Sequence, residues 1–435
     1  MPNLLFRGLS HTSITLSLVL LSACSEAPAQ SMSGTPTTAP TTSPSVTAVA
    51  ASDSAQTPQP ALTFAEWRTL LRSDAIAAGI SDTLFDRAFA GVTPNPDVIR
   101  LDGSQPEFTR PVWEYLDGAV SPARVNQGRR LMAQERVALD RIEQHYAVNR
   151  ETLVAIWGME SNFGGNIGSY NVVRSLATLA YEGRRQAFWR SQLLAVLQIL
   201  QHGDTDPEHL VGSWAGAMGQ TQFMPTTYND HAVDFDGDGR RDVWRSSTDA
   251  LASAAQYLNA SGWQMDQPWG FEVRLPGDFD YALADPENRR TLSQWQALGL
   301  KPVNSTAAQL PGDSLATLLL PAGHKGPAFL LMNNFRSILR YNNSTSYALA
   351  IGLLSDSLRG DAGVQGKWPV GERQLGRQER IELQQLLTQK GFEPGKADGI
   401  IGANTRKAVR AFQQQQQQPA DGYPSVELLQ ELRRF

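Results

Sequence analysis

Glu160 lies in the run LVAIWGMESNFGG, from Leu153 to Gly165, whose other residues are mostly apolar or small. Leu153, Ile156, Trp157 and Glu160 fall at i, i+3, i+4 and i+7, so a helix here sets the carboxylate on an apolar face. Burial disfavours the ionised form, and the negative end of the helix dipole, expected just before the Gly164–Gly165 break, pushes the same way. A carboxylic acid held protonated near neutral pH can give its proton to a leaving group. The same spacing also fits a carboxylate at a fraying helix end, its head in water or on a backbone donor. Residues elsewhere must decide between the two.

A second cluster, DFDGDGRRD from Asp234 to Asp242, begins like an oxygen-ligand calcium loop. Asp234, Asp236 and Asp238 take positions one, three and five, Gly239 makes the turn at six, and Arg240 offers its carbonyl at seven. Position twelve departs from the pattern, because Arg245 stands where a bidentate Glu is usual. Asp242 or Asp249 would have to complete the site. The expectation is weak or structural calcium binding, or sodium, against the alternative of a solvated acidic turn.

Other chemistries are not signalled. No Gly-x-Ser-x-Gly elbow is present, and the six histidines are scattered without a zinc-binding pair. Gly164 to Gly168 lacks the spacing of a dinucleotide loop. A net charge of -5 over 435 residues gives no electrostatic basis for binding nucleic acid.

The elements that must position these residues read as mostly helical from Ala61 to about Arg359, with periodic runs such as Gly128 to Tyr146 and Ala187 to Gln201. Ahead of them, Met1 to His11 carry Arg7 and no acid, Thr12 to Leu21 are largely apolar, and Ser22-Ala23 precede Cys24. That order is a secretory signal, too short for a membrane span. Cys24 is the only cysteine, so no intramolecular disulfide exists and its placement needs another cause. Leu21 to Cys24 resembles a bacterial lipobox, which makes residues 1–24 a lipoprotein signal and Cys24 the lipidated residue; the alternative is a chance cysteine beside an ordinary cleavage site. Ser25, rather than Asp, implies by the same resemblance an outer-membrane lipoprotein facing the periplasm. Residues 25–60 are dominated by Ser, Thr, Ala and Pro, without aromatics, and read as a disordered tether. After a connector at 360–371, residues 372–435 are compact. Helical patterns run over Glu379 to Lys390 and Thr405 to Gln413, with Asn404 as the expected cap of the second and Thr405, Ala408, Val409 and Phe412 as one stripe. Gln413 to Gln418 read as a helix end running into a polar loop.

Two longer strings bear on Glu160. AIWGMESNFG, from Ala155 to Gly164, and SWAGAMGQTQFMPTTY, from Ser213 to Tyr228, resemble the membrane-bound lytic murein transglycosylase B family, glycoside hydrolase family 103. The aspartate loop follows at the family's place, and Arg340 to Ser344 with Tyr347 is similar to its late active-site segment. The resemblance spans roughly residues 62–359, within a catalytic domain set at 61–359. It implies a mainly α protein whose lysozyme-like helical domain cleaves the β-1,4 bond between N-acetylmuramic acid and N-acetylglucosamine in peptidoglycan. Glycosidases ordinarily use two carboxylates. By resemblance, Glu160 alone protonates the leaving oxygen and the substrate's N-acetyl group stabilises the oxocarbenium-like centre. Glu160 then accepts the C6 hydroxyl proton, giving a 1,6-anhydromuramoyl end with no cofactor required. A hydrolytic muramidase and an inactive wall-binding scaffold are the rival readings. The resemblance assigns Ser213 and Gln222 to the acetamido group or to orienting the acid, and Tyr341 and Asn342 to the cleft. Tyr115 and Tyr257 are expected as aromatic walls for sugar rings, with an ordinary core aromatic as the alternative for Tyr115. Asp398 to Gly402, Thr405, Ala408, Val409, Phe412, Gln413, Asp421 and Gly422 resemble the peptidoglycan-binding-domain-1 family, implying a small three-helix wall-binding domain. The partners expected are glycan strands, the outer membrane through the lipid, and proteins of wall synthesis or remodelling.

Overall fold

The computed structural model describes residues 62–103, 110–304 and 310–434. The signal, Cys24 and the tether lie outside the described residues. Helix Arg150–Ser161 is the centre of the main domain, because every residue from Thr152 to Ser161 is buried. A single apolar stripe would serve a helix lying on a core; this one is wrapped on all sides, so Glu160 needs no particular face to be buried. Its neighbours are the helices Pro122–Gln134, Arg136–Tyr146, Ser247–Ala260 and Thr345–Arg359. Arg150 anchors its first turn by pairing with Asp140 at 2.6 Å and with Glu143.

The run Gly128 to Tyr146 is two helices rather than one. Glu135 ends the first and caps the second at φ -87°, ψ 13°, which turns the second onto Ser247–Ala260. The other long expectation, Ala187 to Gln201, corresponds to helix Gln186–His202, stopped by Gly203 in the left-handed conformation. That helix and Val172–Glu182 pair to build a second hydrophobic cluster with the N-terminal helices Phe64–Ala77, Asp82–Ala88 and Pro96–Gly103. Tyr341 packs against both clusters, so it marks the seam between them.

A sheet interrupts the helices between Gly270 and Leu331, within the stretch that the sequence pattern presents as mostly helical. Its strands run in the order Arg289–Thr291, Leu315–Leu319, Ala328–Leu331, Gly270–Arg274, Lys301–Pro302, and every neighbouring pair is antiparallel. Trp295, fully buried, closes its own small core and donates its indole N–H to the Ala316 carbonyl at 3.1 Å.

The C-terminal domain is a three-helix unit of Arg377–Gln389, Ala403–Gln415 and Val426–Arg434 around Leu383, Leu387, Val409, Phe412 and Leu429. The stripe of Thr405, Ala408, Val409 and Phe412 is buried. The cap of the middle helix is Gly402, not Asn404, because the extended backbone at Gly402 (φ -86°, ψ -170°) starts the helix two residues earlier, at Ala403. The glutamine run ends this helix, with Gln417 at φ 57°.

This domain is fastened to the sheet and to the segments between its strands. The connector is strapped down where the buried Glu272 accepts the backbone N–H groups of Gln365 at 2.7 Å and Gly366 at 2.6 Å. Asp421 Oδ2 accepts the His324 backbone N–H at 2.8 Å and meets His324 Nδ1 at 2.7 Å, while its Oδ1 accepts from Gln413 at 2.7 Å and from the Tyr423 N–H at 2.8 Å. Arg410 pairs with Asp285, and Lys325 bridges Glu372 and Glu427 at 2.9 and 2.8 Å.

Burial alone would raise the Asp421 pKa, but its hydrogen bonds outweigh that and hold it below the ordinary carboxylate value. A depressed pKa contributes stability above the ordinary value and loses it as pH falls through the folded one. Asp421→Asn is expected to cost about 1–3 kcal/mol of C-terminal domain stability at neutral pH. The difference from wild type should shrink in acid, as read by chemical denaturation between neutral and acidic buffers.

Candidate active site

Glu160 lies next to the last residue of its helix and is 8% exposed. The Tyr347 hydroxyl donates to its Oε1 at 2.6 Å. Tyr347 is placed by Ser344, whose Oγ caps helix Thr345–Arg359 by accepting the Tyr347 backbone N–H at 3.3 Å. Burial pushes the Glu160 carboxyl up to about 7, and the Tyr347 hydrogen bond, which favours the charged form, opposes it. Among the described residues no second carboxylate contributes to that shift. Both protonation states are therefore accessible near neutral pH, as an acid that must later act as a base requires.

Tyrosines surround this carboxyl. Tyr341 and Tyr347 have pKa values raised well above the ordinary phenol by burial and then by the charge of Glu160. Tyr115, half-buried against the main core, is pushed up to about 12 by the same two causes. Tyr257 stacks edge-on against Tyr341 with ring centroids 5.1 Å apart, and Phe223 lies 5.9 and 5.7 Å from Tyr257 and Tyr341. Their hydroxyls are fixed by backbone carbonyls: Tyr257 donates to Arg340 at 2.6 Å and Tyr341 to Thr221 at 2.8 Å.

The helix exit is unusual. Asn162, Phe163 and Gly164 follow one another at positive φ, where Asn and Gly are at ease and Phe is not. Phe163 is held there because its ring packs against Gly128 and Gly158, positions where a Cβ would come within 3.4 and 2.7 Å of it. Opposite lies the loop carrying Ser213 and Gln222. Ser213 Oγ accepts the Ala217 N–H at 3.0 Å, and Met218 and Phe223 exchange backbone bonds at 2.9 and 3.1 Å, closing a tight tip. Gln222, in the left-handed region at φ 51°, donates Nε2 to the carbonyls of Ile167 at 3.2 Å and Gly219 at 2.8 Å. Its Oε1 has no partner among the described residues.

The chain matches the transglycosylase SLT domain family over residues 63–356 and the peptidoglycan binding domain family over residues 376–432. The chain belongs to the transglycosylase SLT domain family. Its central domain is thus a lytic transglycosylase domain. Membrane-bound lytic murein transglycosylase B of Escherichia coli (strain K12) is 35% identical over 251 residues, covering 56% of this chain and 66% of its own length, just under two thirds of that relative. Pseudomonas aeruginosa SltB3, solved in complex with NAG-anhNAM-pentapeptide, is 58% identical with a TM-score of 0.83, covering 85% of this chain and 99% of that chain. Escherichia coli Slt35, solved in complex with calcium, is 30% identical with a TM-score of 0.57, covering 67% of this chain and 92% of that chain.

In this SLT domain the acidic loop gathers Asp234, Asp236, Asp238 and Asp249, with carboxylate oxygens within 4.8 Å of one another. Asp249, not Asp242, is the fourth carboxylate. Asp249 is oriented onto the loop by the backbone N–H groups of Phe235 at 2.8 Å, Asp236 at 3.2 Å and Asp242 at 3.0 Å, while Asp242 Oδ1 accepts those of Trp244 at 3.0 Å and Arg245 at 2.9 Å and stands outside the group. Arg240 donates its N–H to Asp238 at 2.8 Å as the loop turns.

Tyr115, Tyr341 and Glu160 thus come together, with Tyr257 one ring further out. Ser213 and Gln222 stand on the facing loop. Asn342, half-buried, ends helix Asn333–Tyr341, and no hydrogen bond ties its side chain to the acid. Tyr347 belongs to the late segment but takes no role from the sequence alone, although Ser344 three residues before it marks a helix start that turns it inward. Tyr347→Phe removes the bond that favours the charged form, so the Glu160 pKa rises above about 7. The basic limb of the pH–rate profile, which reports loss of the protonated acid, is expected to move to higher pH.

Proposed function

We propose that this chain is a peptidoglycan lytic transglycosylase that cleaves the β-1,4 bond between N-acetylmuramic acid and N-acetylglucosamine and leaves a 1,6-anhydromuramoyl end. The observation that carries the reading is a single buried carboxyl, Glu160, with its pKa at about 7 and no second carboxylate in its charge environment among the described residues. Hydrolases of glycosidic bonds ordinarily need a second carboxylate as nucleophile or to activate water. With one acid, the nucleophile must come from the substrate. Glu160 protonates the leaving oxygen, the acetamido carbonyl supports the developing positive charge, and the ionised Glu160 takes the C6 hydroxyl proton as that oxygen closes on C1. One bond breaks, one forms, and the proton returns to Glu160.

The other roles follow from chemistry. Tyr347 donates to the carboxylate once it is charged. Gln222 Oε1, left without a partner, accepts from the acetamido N–H, and Ser213, whose Oγ already accepts a backbone N–H, retains its own proton to donate. Tyr115, Tyr257 and Tyr341 offer ring faces to the sugars, and Asn342 lines the cleft beside Tyr341. No cofactor enters the chemistry. The relative SltB3 was solved with a NAG-NAM-pentapeptide, which supports the same substrate class here.

The four carboxylates of the acidic loop fit a hard cation such as calcium through oxygen ligands, and a loop without a bidentate Glu at its twelfth position would hold it weakly. The proposed division remains 1–24 signal with Cys24 acylated, 25–60 tether, 61–359 catalytic domain, 360–371 linker and 372–435 wall-binding domain. Among the described residues no helix is long and apolar enough to cross a membrane. The lipid at Cys24 would hold the enzyme on the outer membrane facing the periplasm, and the C-terminal domain would hold it on murein.

Glu160→Gln is expected to lower product release from purified sacculi by about 10²–10⁴-fold, with wild-type products lighter by one water than hydrolysed ones in mass spectrometry. Reducing ends from the wild type would make the enzyme a hydrolase. Calcium at about 1 mM should raise the melting temperature of the wild type, and Asp238→Ala should remove that rise without changing the melting temperature in chelator.

A further inference from the structure

The loop tip between Met218 and Phe223 points three of its four residues at three different segments. Gln222 bonds to Ile167 beyond the acid helix, the Thr221 carbonyl accepts from Tyr341, and Gln220 turns inward. Gln220 is 6% exposed, and both ends of its amide are used. Its Oε1 accepts the Trp157 indole N–H at 2.8 Å, and its Nε2 donates to the Trp244 carbonyl at 3.4 Å. Its own backbone N–H donates to the Val243 carbonyl at 2.9 Å. Trp157 sits one turn before Glu160 on the same helix, and its carbonyl receives the N–H groups of Asn162 and Phe163, which end that helix. Gly164 lies against the same amide: a Cβ there would stand 2.7 Å from Gln220 Oε1. Trp244, in turn, donates its indole N–H to Val211 at 3.0 Å, two residues before Ser213.

One buried side chain therefore spans the gap between the helix that carries the acid and the loop that carries the sugar-side residues. We propose that Gln220 is a positioning residue for the lytic reaction, acting through the Trp157 indole to set where Glu160 stands relative to Ser213 and Gln222. Tyr347 holds the carboxyl itself; Gln220 holds the helix one turn before it. The bond is between neutral groups away from solvent, so no water can replace it without opening the core. Because proton transfer depends steeply on distance, a small shift of the helix end acts on the chemical step more than on binding.

This inference rests on the reading of Glu160 as the acid, and the test separates the two. Gln220→Met removes the amide at similar volume, Trp157→Phe removes the indole N–H from the other partner, and the double variant removes both. Each is assayed on soluble glycan strands, with rates normalised to folded protein measured by circular dichroism at the assay temperature. Each single variant should lose on the order of tenfold in kcat with KM within about twofold. The double variant should lose no more than the worse single one, as expected for two halves of one interaction. The basic limb of the pH profile should move down from about 7 as water reaches the carboxyl. If one variant does not fold, the other still breaks the same bond.

A rise in KM with unchanged kcat and pH limb would overturn the proposal, as would losses that add in the double variant or that vanish after normalisation. Products from Glu160→Gln would instead sink the acid assignment itself. An inactive Glu160→Gln beside a normal Gln220→Met would remove only the present inference.

Discussion

The structure depends on keeping one carboxyl out of water without leaving it unpaired. An isolated buried carboxylate is costly, and a carboxyl in contact with water would titrate near its ordinary value and be ionised at neutral pH. Glu160 lies between these limits because its helix is enclosed on every side while one tyrosine hydroxyl supplies a single hydrogen bond. The opposing effects leave it poised at about 7. The helices around Arg150–Ser161, the left-handed exit at Asn162 to Gly164 and the facing loop tip all serve to hold that balance.

The contacts that set the balance come from distant parts of the chain. Tyr347 reaches Glu160 across 187 residues, and Gln220 reaches Trp157 across 63. Each joins the acid helix to a different segment, and Tyr341 joins the two hydrophobic clusters along the same line. The C-terminal domain stands apart from this arrangement, fixed to the segments between the strands of the sheet through Asp421 to His324, Arg410 to Asp285, and Glu372 and Glu427 to Lys325. These contacts hold the three-helix domain against the sheet-bearing part of the molecule.

Local patterns made some of this readable from the sequence. The acid, the loop from Ser213 to Tyr228, the start of the aspartate loop and the stripe from Thr405 to Phe412 are each contiguous, and their chemistry shows in residue types and spacing. The sheet did not show. Its strands are two to five residues long, and Gly270 to Val273 are all buried, so no alternation marks them. Asp249 and Asp242 compete for the fourth place in the sequence, and only the folded loop, whose backbone N–H groups at Phe235 and Asp236 bond to Asp249, decides between them. Tyr347 and Gln220 are ordinary residues in helix and loop contexts. What sets them apart is the partner each meets across the fold, which one chain without its fold does not reveal.

The most direct test of the central claim is to titrate the Glu160 carboxyl itself, by infrared difference spectroscopy of the protonated C=O stretch in wild type against Glu160→Gln. A protonated-acid band unique to the wild type that persists to neutral pH and is lost with a midpoint near 7 is the expected result. A band already lost by about pH 5, the behaviour of an ordinary exposed glutamate, would contradict the account.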